Sequence, residues 1–160
     1  MDISSKTINL CIQRGIGDEN HFKCVNLLDV TSLDDVFPGI YFDLVIASEC
    51  MYYFTEREHY NLMRKFYHAM SPKGIIYGSY PSYDTLLYRR YTNVEKDDNG
   101  MIEVSQSGSI DQCLYVNLPR NIDELRKKYM YFNVIDIIQT NLPLSSDENE
   151  VEYHILAQKD

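Results

Sequence analysis

The chain has 160 residues, 44% of them hydrophobic and 24% charged, with a formal net charge of −9, which suits one soluble domain. The basic spots Arg89-Arg90 and Arg126-Lys127-Lys128 are each set among acidic residues, which disfavours nucleic acid, a partner that asks for a basic stripe. No apolar run reaches membrane-spanning length and no basic-then-apolar leader is visible, so a cytoplasmic protein with no membrane partner is expected.

In chain order, Ser4 is placed to cap a helix to about Arg14, with Ile8, Cys11 and Ile12 on one face and Gly15 as its stop. A short strand is expected from His21 to Leu28, and a loop or single helical turn from Thr31 to Gly39. Phe42 to Ser48 is nearly continuous apolar sequence, the pattern of a strand covered on both faces in a parallel sheet. Thr55 and Glu58 match a capping box, and the helix behind them carries Tyr60, Met63, Tyr67 and Met70 at steps of three and four. Ser71-Pro72-Lys73-Gly74 breaks that helix before a second buried strand, Ile75 to Ser79. Together these make a right-handed βαβ unit.

The pattern then changes. Tyr83 to Arg90 reads as a short helix. Asn99-Gly100 is a hairpin signal between Thr92–Lys96 and Met101–Gln106. Ser107-Gly108-Ser109 makes a second turn before a strand at Cys113–Leu118, so 91–118 is expected to be an antiparallel insertion. A helix from Asn121 to about Tyr131, a strand from Val134 to Gln139, a polar loop from Leu142 to Glu150 and a last strand from Glu152 to Gln158 complete a single α/β domain over 1–160. Cys11, Cys24 and Cys50 stand in apolar stretches and read as reduced core residues. No histidine sits at metal-ligand spacing from a cysteine, so no metal is expected.

The phrases Phe42-Asp43-Leu44-Val45 and Met70-Ser71-Pro72-Lys73-Gly74-Ile75-Ile76 resemble, in order and spacing, the strand-four opening and the turn into strand five of class I S-adenosylmethionine-dependent methyltransferases. The resemblance covers essentially the whole chain, weakest over 91–118. It implies a Rossmann-like sheet, mostly parallel, with an antiparallel last strand. Ala47-Ser48-Glu49-Cys50-Met51-Tyr52-Tyr53-Phe54 is similar to a phrase of the nodulation-type N-methyltransferases, with Met51 and Phe54 where those have Leu.

The resemblance also implies roles. Asp2, with Ile3 beside it, falls where the family's strand two ends in an acid that accepts from the ribose hydroxyls; a frayed terminus is the plain alternative. Asp29 falls where an Asp accepts from the adenine amino group and the next N–H, here of Val30, meets a ring nitrogen; an Asx turn explains Asp29 as well. Ser48 would touch the cofactor's amino group through its backbone. Glu49 would take a proton from an amine or hold it, and Tyr52 and Tyr53 would wall the sulfonium, unless Glu49 faces solvent and the aromatics plug the sheet's end. Arg89 and Arg90 would meet an anionic group of a small-molecule substrate beneath a cap formed by the insertion, unless the pair is simply solvated.

One family element has no counterpart. The glycine-rich turn after strand one, whose backbone grips the methionine half of the cofactor, is missing, because Gly15-Ile16-Gly17 follows a helix. In the family's strand order, three-two-one-four-five-seven-six, strand one and nearly all of strand two would be lacking. The expectation is therefore an N-terminally incomplete, truncated methyltransferase that needs a missing N-terminal segment or a second chain to complete its sheet. The alternative is a non-catalytic interaction protein on a methyltransferase remnant.

Overall fold

The structure is a computed structural model, and it describes residues 1–18, 20–83, 96–105, 113–145 and 148–160. The chain divides into two compact units, Met1–Ile40 and Tyr41–Asp160.

In the first unit, α1 spans Ser5–Gln13, and the Ser4 hydroxyl accepts from Thr7 N at 3.2 Å. The chain leaves α1 through Gly15 at φ 69°, a left-handed stop that costs glycine little. A 3-10 turn at Leu33–Asp35 carries a capping box between Ser32 and Asp35. Ile8 and Leu33 are the buried apolar residues. The strand expected at His21–Leu28 does not form. A single parallel bridge joins Asp2 to Cys24, through Asp2 N to Lys23 O at 3.1 Å and Val25 N to Asp2 O at 2.9 Å. A ladder lengthens only where its partner is also extended, and α1 begins three residues after Asp2.

The second unit is built on β1 (Phe42–Ala47), α2 (Glu56–Ala69), β2 (Met70–Pro81), β3 (Ile102–Ser105), β4 (Cys113–Val116), α3 (Ile122–Lys128), β5 (Asn133–Ser145) and β6 (Glu148–Gln158). Four strands form one sheet in the order β1-β2-β6-β5. β1 and β2 are parallel across the α2 crossover, and β6 runs antiparallel to both neighbours. This is the order expected of strands four, five, seven and six. β3 and β4 pair antiparallel by themselves. Gly100 at φ 77° makes the turn ahead of β3, with Asp97 N bonded to Met101 O at 2.9 Å. The helix expected at Tyr83–Arg90, the strand at Thr92–Lys96 and the Ser107–Ser109 turn fall mainly or wholly outside the described residues.

The α2 capping box is present, with Thr55 and Glu58 exchanging side-chain-to-backbone bonds. Its buried stripe is His59, Leu62, Met63, Phe66 and Ala69, which takes in the expected Met63, with Met70 buried just beyond the helix, but not Tyr60 or Tyr67. Those two tyrosines instead cluster with Tyr131, at ring separations of 4.9 and 6.2 Å. The polar loop expected at Leu142–Glu150 is also corrected: β5 and β6 continue into it as one long hairpin, because a hairpin ladder satisfies its backbone whatever its side chains are.

One face of the sheet is packed. Ile76, Gly78 and Tyr80 stand opposite Ala157, Ile155 and Tyr153, and all are buried. The other face is not. Leu44 and Ile46, registered with Ile75 and Tyr77, are 55% and 65% exposed, and Ile138, opposite His154, is 55% exposed. The β1 run therefore lacks the second cover that its apolar pattern predicts. Among the described residues, β1 pairs along one side only. Cys24 and Cys50 are exposed rather than core residues, and Cys11 is half-buried.

Candidate functional site

The carboxyl end of β1 is the best-organised polar constellation. After Ala47 the chain turns through Ser48 and Glu49 into a 3-10 turn at Met51–Tyr53. Glu49 has φ 52°, a left-handed conformation uncommon outside glycine, aspartate and asparagine. The reason lies in β2. The buried hydroxyl of Ser79 accepts from Glu49 N at 3.1 Å and donates to Glu49 Oε1 at 3.0 Å. Its one proton is thus committed to the carboxylate, so the Ser48 hydroxyl, 3.0 Å away, donates to it. The Ser79 oxygen then uses one donor and two acceptor positions, its full capacity. Backbone strain of this kind gathers at functional sites.

Glu49 is exposed, and partial desolvation of its carboxyl raises its pKa above its ordinary value. Hydrogen bonding with the Glu152 carboxyl and its charge raise it further, while the Ser79 and Tyr52 hydroxyls lower it. Partial desolvation, helped by the Glu49 charge, likewise raises the neighbouring Cys50 thiol, though the residue is exposed. Tyr52 is buried and donates to the Tyr53 hydroxyl at 3.2 Å, while Tyr53 is half exposed, with ring centroids 4.4 Å apart. The antiparallel insertion fixes this turn from above. Asn117, just past β4, donates its N–H to Tyr52 O at 2.7 Å and its amide to Phe54 O at 3.2 Å.

In the first unit, Asp2 Oδ1 accepts from Ser4 N at 2.7 Å, and Asp29 Oδ2 accepts from the Asn26 amide at 3.0 Å. Ile3 is exposed and Val30 half-buried. Asp2 and Asp29 are therefore tied locally, each through one carboxylate oxygen. In the second unit, Ser48, Glu49, Tyr52 and Tyr53 come together as the sequence pattern predicts. Arg89 and Arg90 lie outside the described residues.

Sequence reasoning missed Ser79, Glu152 and His154. His154 Nδ1 is 2.7 Å from the Tyr77 hydroxyl, and its Nε2 is 3.1 Å from Thr140 Oγ1 and 3.7 Å from Glu152 Oε2. The available signal was alternation: Glu152 and His154 are two apart on a strand, as are Tyr77 and Ser79, so each pair shares a face. Away from this constellation, a cavity of about 500 Å³ lies between α2 and α3, lined by Glu56, His59, Lys96, Asn117, Glu124 and Lys128 among others. It holds the Lys96–Glu124 ion pair at 2.9 Å. Among the described residues no group of side chains could hold a metal ion, and no helix is long and apolar enough to cross a membrane.

No family model matches the chain, and no curated protein matches it. Solved structures do. A S-adenosylmethionine-dependent methyltransferase from Methanosarcina mazei aligns with TM-score 0.70 at 13% identity, covering 99% of this chain and 79% of that one. A putative S-adenosylmethionine-dependent methyltransferase from Listeria monocytogenes aligns with TM-score 0.70 at 12% identity, covering 99% and 78%. The N-methyltransferase NodS from Bradyrhizobium japonicum WM9 aligns with TM-score 0.57 at 12% identity, covering 99% and 71%, and it has also been solved with S-adenosyl-L-homocysteine bound. At such identities the likeness is one of fold, and the fold is that of class I methyltransferases.

Proposed function

We propose that this chain is the acceptor-side part of a cytoplasmic methyltransferase that uses S-adenosylmethionine to methylate a small molecule, an amine being the acceptor the site suits best. The observation that carries this is Glu49, held in a strained turn at the carboxyl end of β1, where ligands sit in open α/β sheets. Small-molecule selection falls to the insertion over 91–118, whose Asn117 holds the turn in place.

The cofactor fits these residues at one end. Asp2 and Asp29 each engage one carboxylate oxygen locally, and a carboxylate has capacity for further donors such as ribose hydroxyls or an adenine amino group. Val30, in the same unit, would contribute its backbone N–H. The methionine end does not fit. A side chain at Gly17 would meet the Phe22 ring at 2.8 Å, so that glycine serves the packing of its own loop rather than a ligand.

The missing cradle and the uncovered sheet face have one remedy. A further strand-and-helix segment, ahead of Met1 or on a second chain, would pair with the open side of β1, cover Leu44 and Ile46, and bring the glycine turn. Methyl donation is the chemistry the bound cofactor supplies. The chain's own residues do the rest: Glu49 receives the acceptor's proton, Tyr52 and Tyr53 flank the acceptor, and the insertion keeps water out.

The test is Glu49→Gln in the completed protein, measuring turnover and cofactor affinity together. A base should cost roughly 10²–10⁴-fold in turnover with little change in affinity. Unchanged turnover would remove Glu49 from the mechanism. A completed protein that binds no cofactor would support a non-catalytic interaction role instead.

A further inference from the structure

The cavity between α2 and α3 holds one satisfied charge pair and one ammonium without a partner. Lys96 is neutralised in place by Glu124 at 2.9 Å. Lys128, the last residue of α3, is half-buried at the cavity and has no hydrogen bond or ion pair among the described residues. His59 of α2 is buried, with its Nε2 2.8 Å from the Tyr80 hydroxyl. Its Nδ1 has no partner among the described residues, yet none of their side-chain nitrogens or oxygens is both buried and unpartnered. Nδ1 therefore opens on the cavity that His59 lines. Tyr60 and Met130, 42% and 65% exposed, line the same space. We propose that this cavity is a binding site for a small organic monocarboxylate, with its carboxylate on the Lys128 ammonium and the His59 Nδ1–H and its apolar body against Tyr60 and Met130.

A half-buried ammonium with no partner has given up part of its hydration for nothing, so an anion is what the site lacks. The charged groups around Lys128 are Glu56 on α2, Lys96 ahead of β3, and Glu124 and Lys127 on α3. Lys96 and Glu124 cancel, and Glu56 offsets one of the two remaining lysines. The described lining residues thus carry a single positive charge, which a monoanion neutralises. A dianion overshoots it and is repelled by the Glu56 and Glu124 carboxylates, while a cation is repelled by the lysines. A carboxylate also suits the donors, because it accepts through two oxygens. One meets the Lys128 ammonium and the other the His59 Nδ1–H, in the tautomer whose Nε2 accepts from Tyr80. The Tyr60 ring and the Met130 thioether favour an apolar body, and a cavity of about 500 Å³ has room for it. Desolvation lowers the Lys128 pKa from 10.5 to about 8, with the Lys96 charge adding to the effect and Glu56 and Glu124 opposing it. The ammonium is still the main form at neutral pH, and a bound carboxylate raises the value again.

The probe is benzoate, with benzyl alcohol as its uncharged counterpart and sulfate as a dianion. Each is added to the full 160-residue chain at neutral pH and followed by NMR at the Met130 methyl group. Benzoate should give a saturable shift, and benzyl alcohol and sulfate should bind more weakly by about tenfold or more. Lys128→Met should weaken benzoate by about tenfold or more, the range for a hydrogen bond to a charged group. A benzoate shift that does not saturate overturns the proposal. So does a benzoate affinity that Lys128→Met leaves unchanged, or that benzyl alcohol or sulfate equals. Should Lys128→Met fail to fold, a pH series on the wild type decides. The ammonium is the form that binds, so benzoate affinity is full below about 8 and falls as pH rises through the Lys128 value. An affinity that stays level between about pH 7 and 10 overturns the proposal. The titration needs neither S-adenosylmethionine nor a methyl acceptor, so its outcome is independent of the methyl-transfer reading.

Discussion

Gly78 is the position where one added carbon should cost most. It lies in the middle of β2, next to Ser79, and a methyl group there would overlap the Tyr129 hydroxyl and sit 3.2 Å from the Tyr80 ring. Neither ring can move aside cheaply. Tyr80 and Tyr129 are both fully buried and hydroxyl-bonded to each other at 3.1 Å, and Tyr80 is bonded to the buried His59 Nε2 at 2.8 Å. Overpacking a core of this kind costs about 1–3 kcal/mol, and displacing the Tyr80–Tyr129 hydrogen bond adds about 1 kcal/mol. Gly78→Ala should therefore destabilise by roughly 2–4 kcal/mol, or about 4–16 °C in melting temperature at this chain length. Urea unfolding with an unchanged m-value is the assay. Tyr129→Phe removes the overlapping oxygen, so the alanine should cost about 1–2 kcal/mol less in that background, a coupling that a double-mutant cycle reads directly. An alanine variant within about 0.5 kcal/mol of wild type, or additive effects in the cycle, would refute this account of why β2 carries a glycine there.

Burial, aided by the Lys128 charge, lowers the His59 pKa from 6.5 to about 3. The folded state then binds the proton less readily than the unfolded one, so this stability is present above about pH 6.5 and lost as pH falls toward 3; at about 1.4 kcal/mol per unit it amounts to on the order of 5 kcal/mol, and a urea midpoint series in which His59→Phe keeps the same acid slope would contradict it. The chain alone should bind S-adenosylmethionine more weakly than about micromolar, −8 kcal/mol, because the methionine cradle is missing; calorimetric titration reads this, and micromolar binding would relocate the cofactor site. Leu44→Glu with Ile46→Glu should leave the stability of the chain within about 1 kcal/mol, since both side chains are more than half exposed, yet abolish assembly with a completing segment. Co-expression and pull-down with that segment checks it, and intact assembly would show that the face is not covered as proposed.

Periodicity and caps alone determined the βαβ unit, the Thr55–Glu58 box and the Asn99-Gly100 turn, because each depends on residues a few positions apart, whereas the order of the last strands was implied by the family resemblance. The Ser48–Glu49–Tyr52–Tyr53 cluster was legible for the same reason: it is one continuous phrase at a strand end. Other features required the folded sheet. Ser79 reaches Glu49 across 30 residues of chain, and only the β2-β6 register brings Glu152 and His154 to the same face of the sheet as Ser79. The expected strand at His21–Leu28 shrank to a bridge because a strand's length is fixed by its partner, which local sequence does not contain. The apolar run of β1 told that two covers are wanted; the tertiary structure alone shows that the helices α2 and α3 lie over the packed face, while Leu44 and Ile46 on the other remain open. Hydrophobic pattern reports what a strand would bury, and only packing decides which of it is buried.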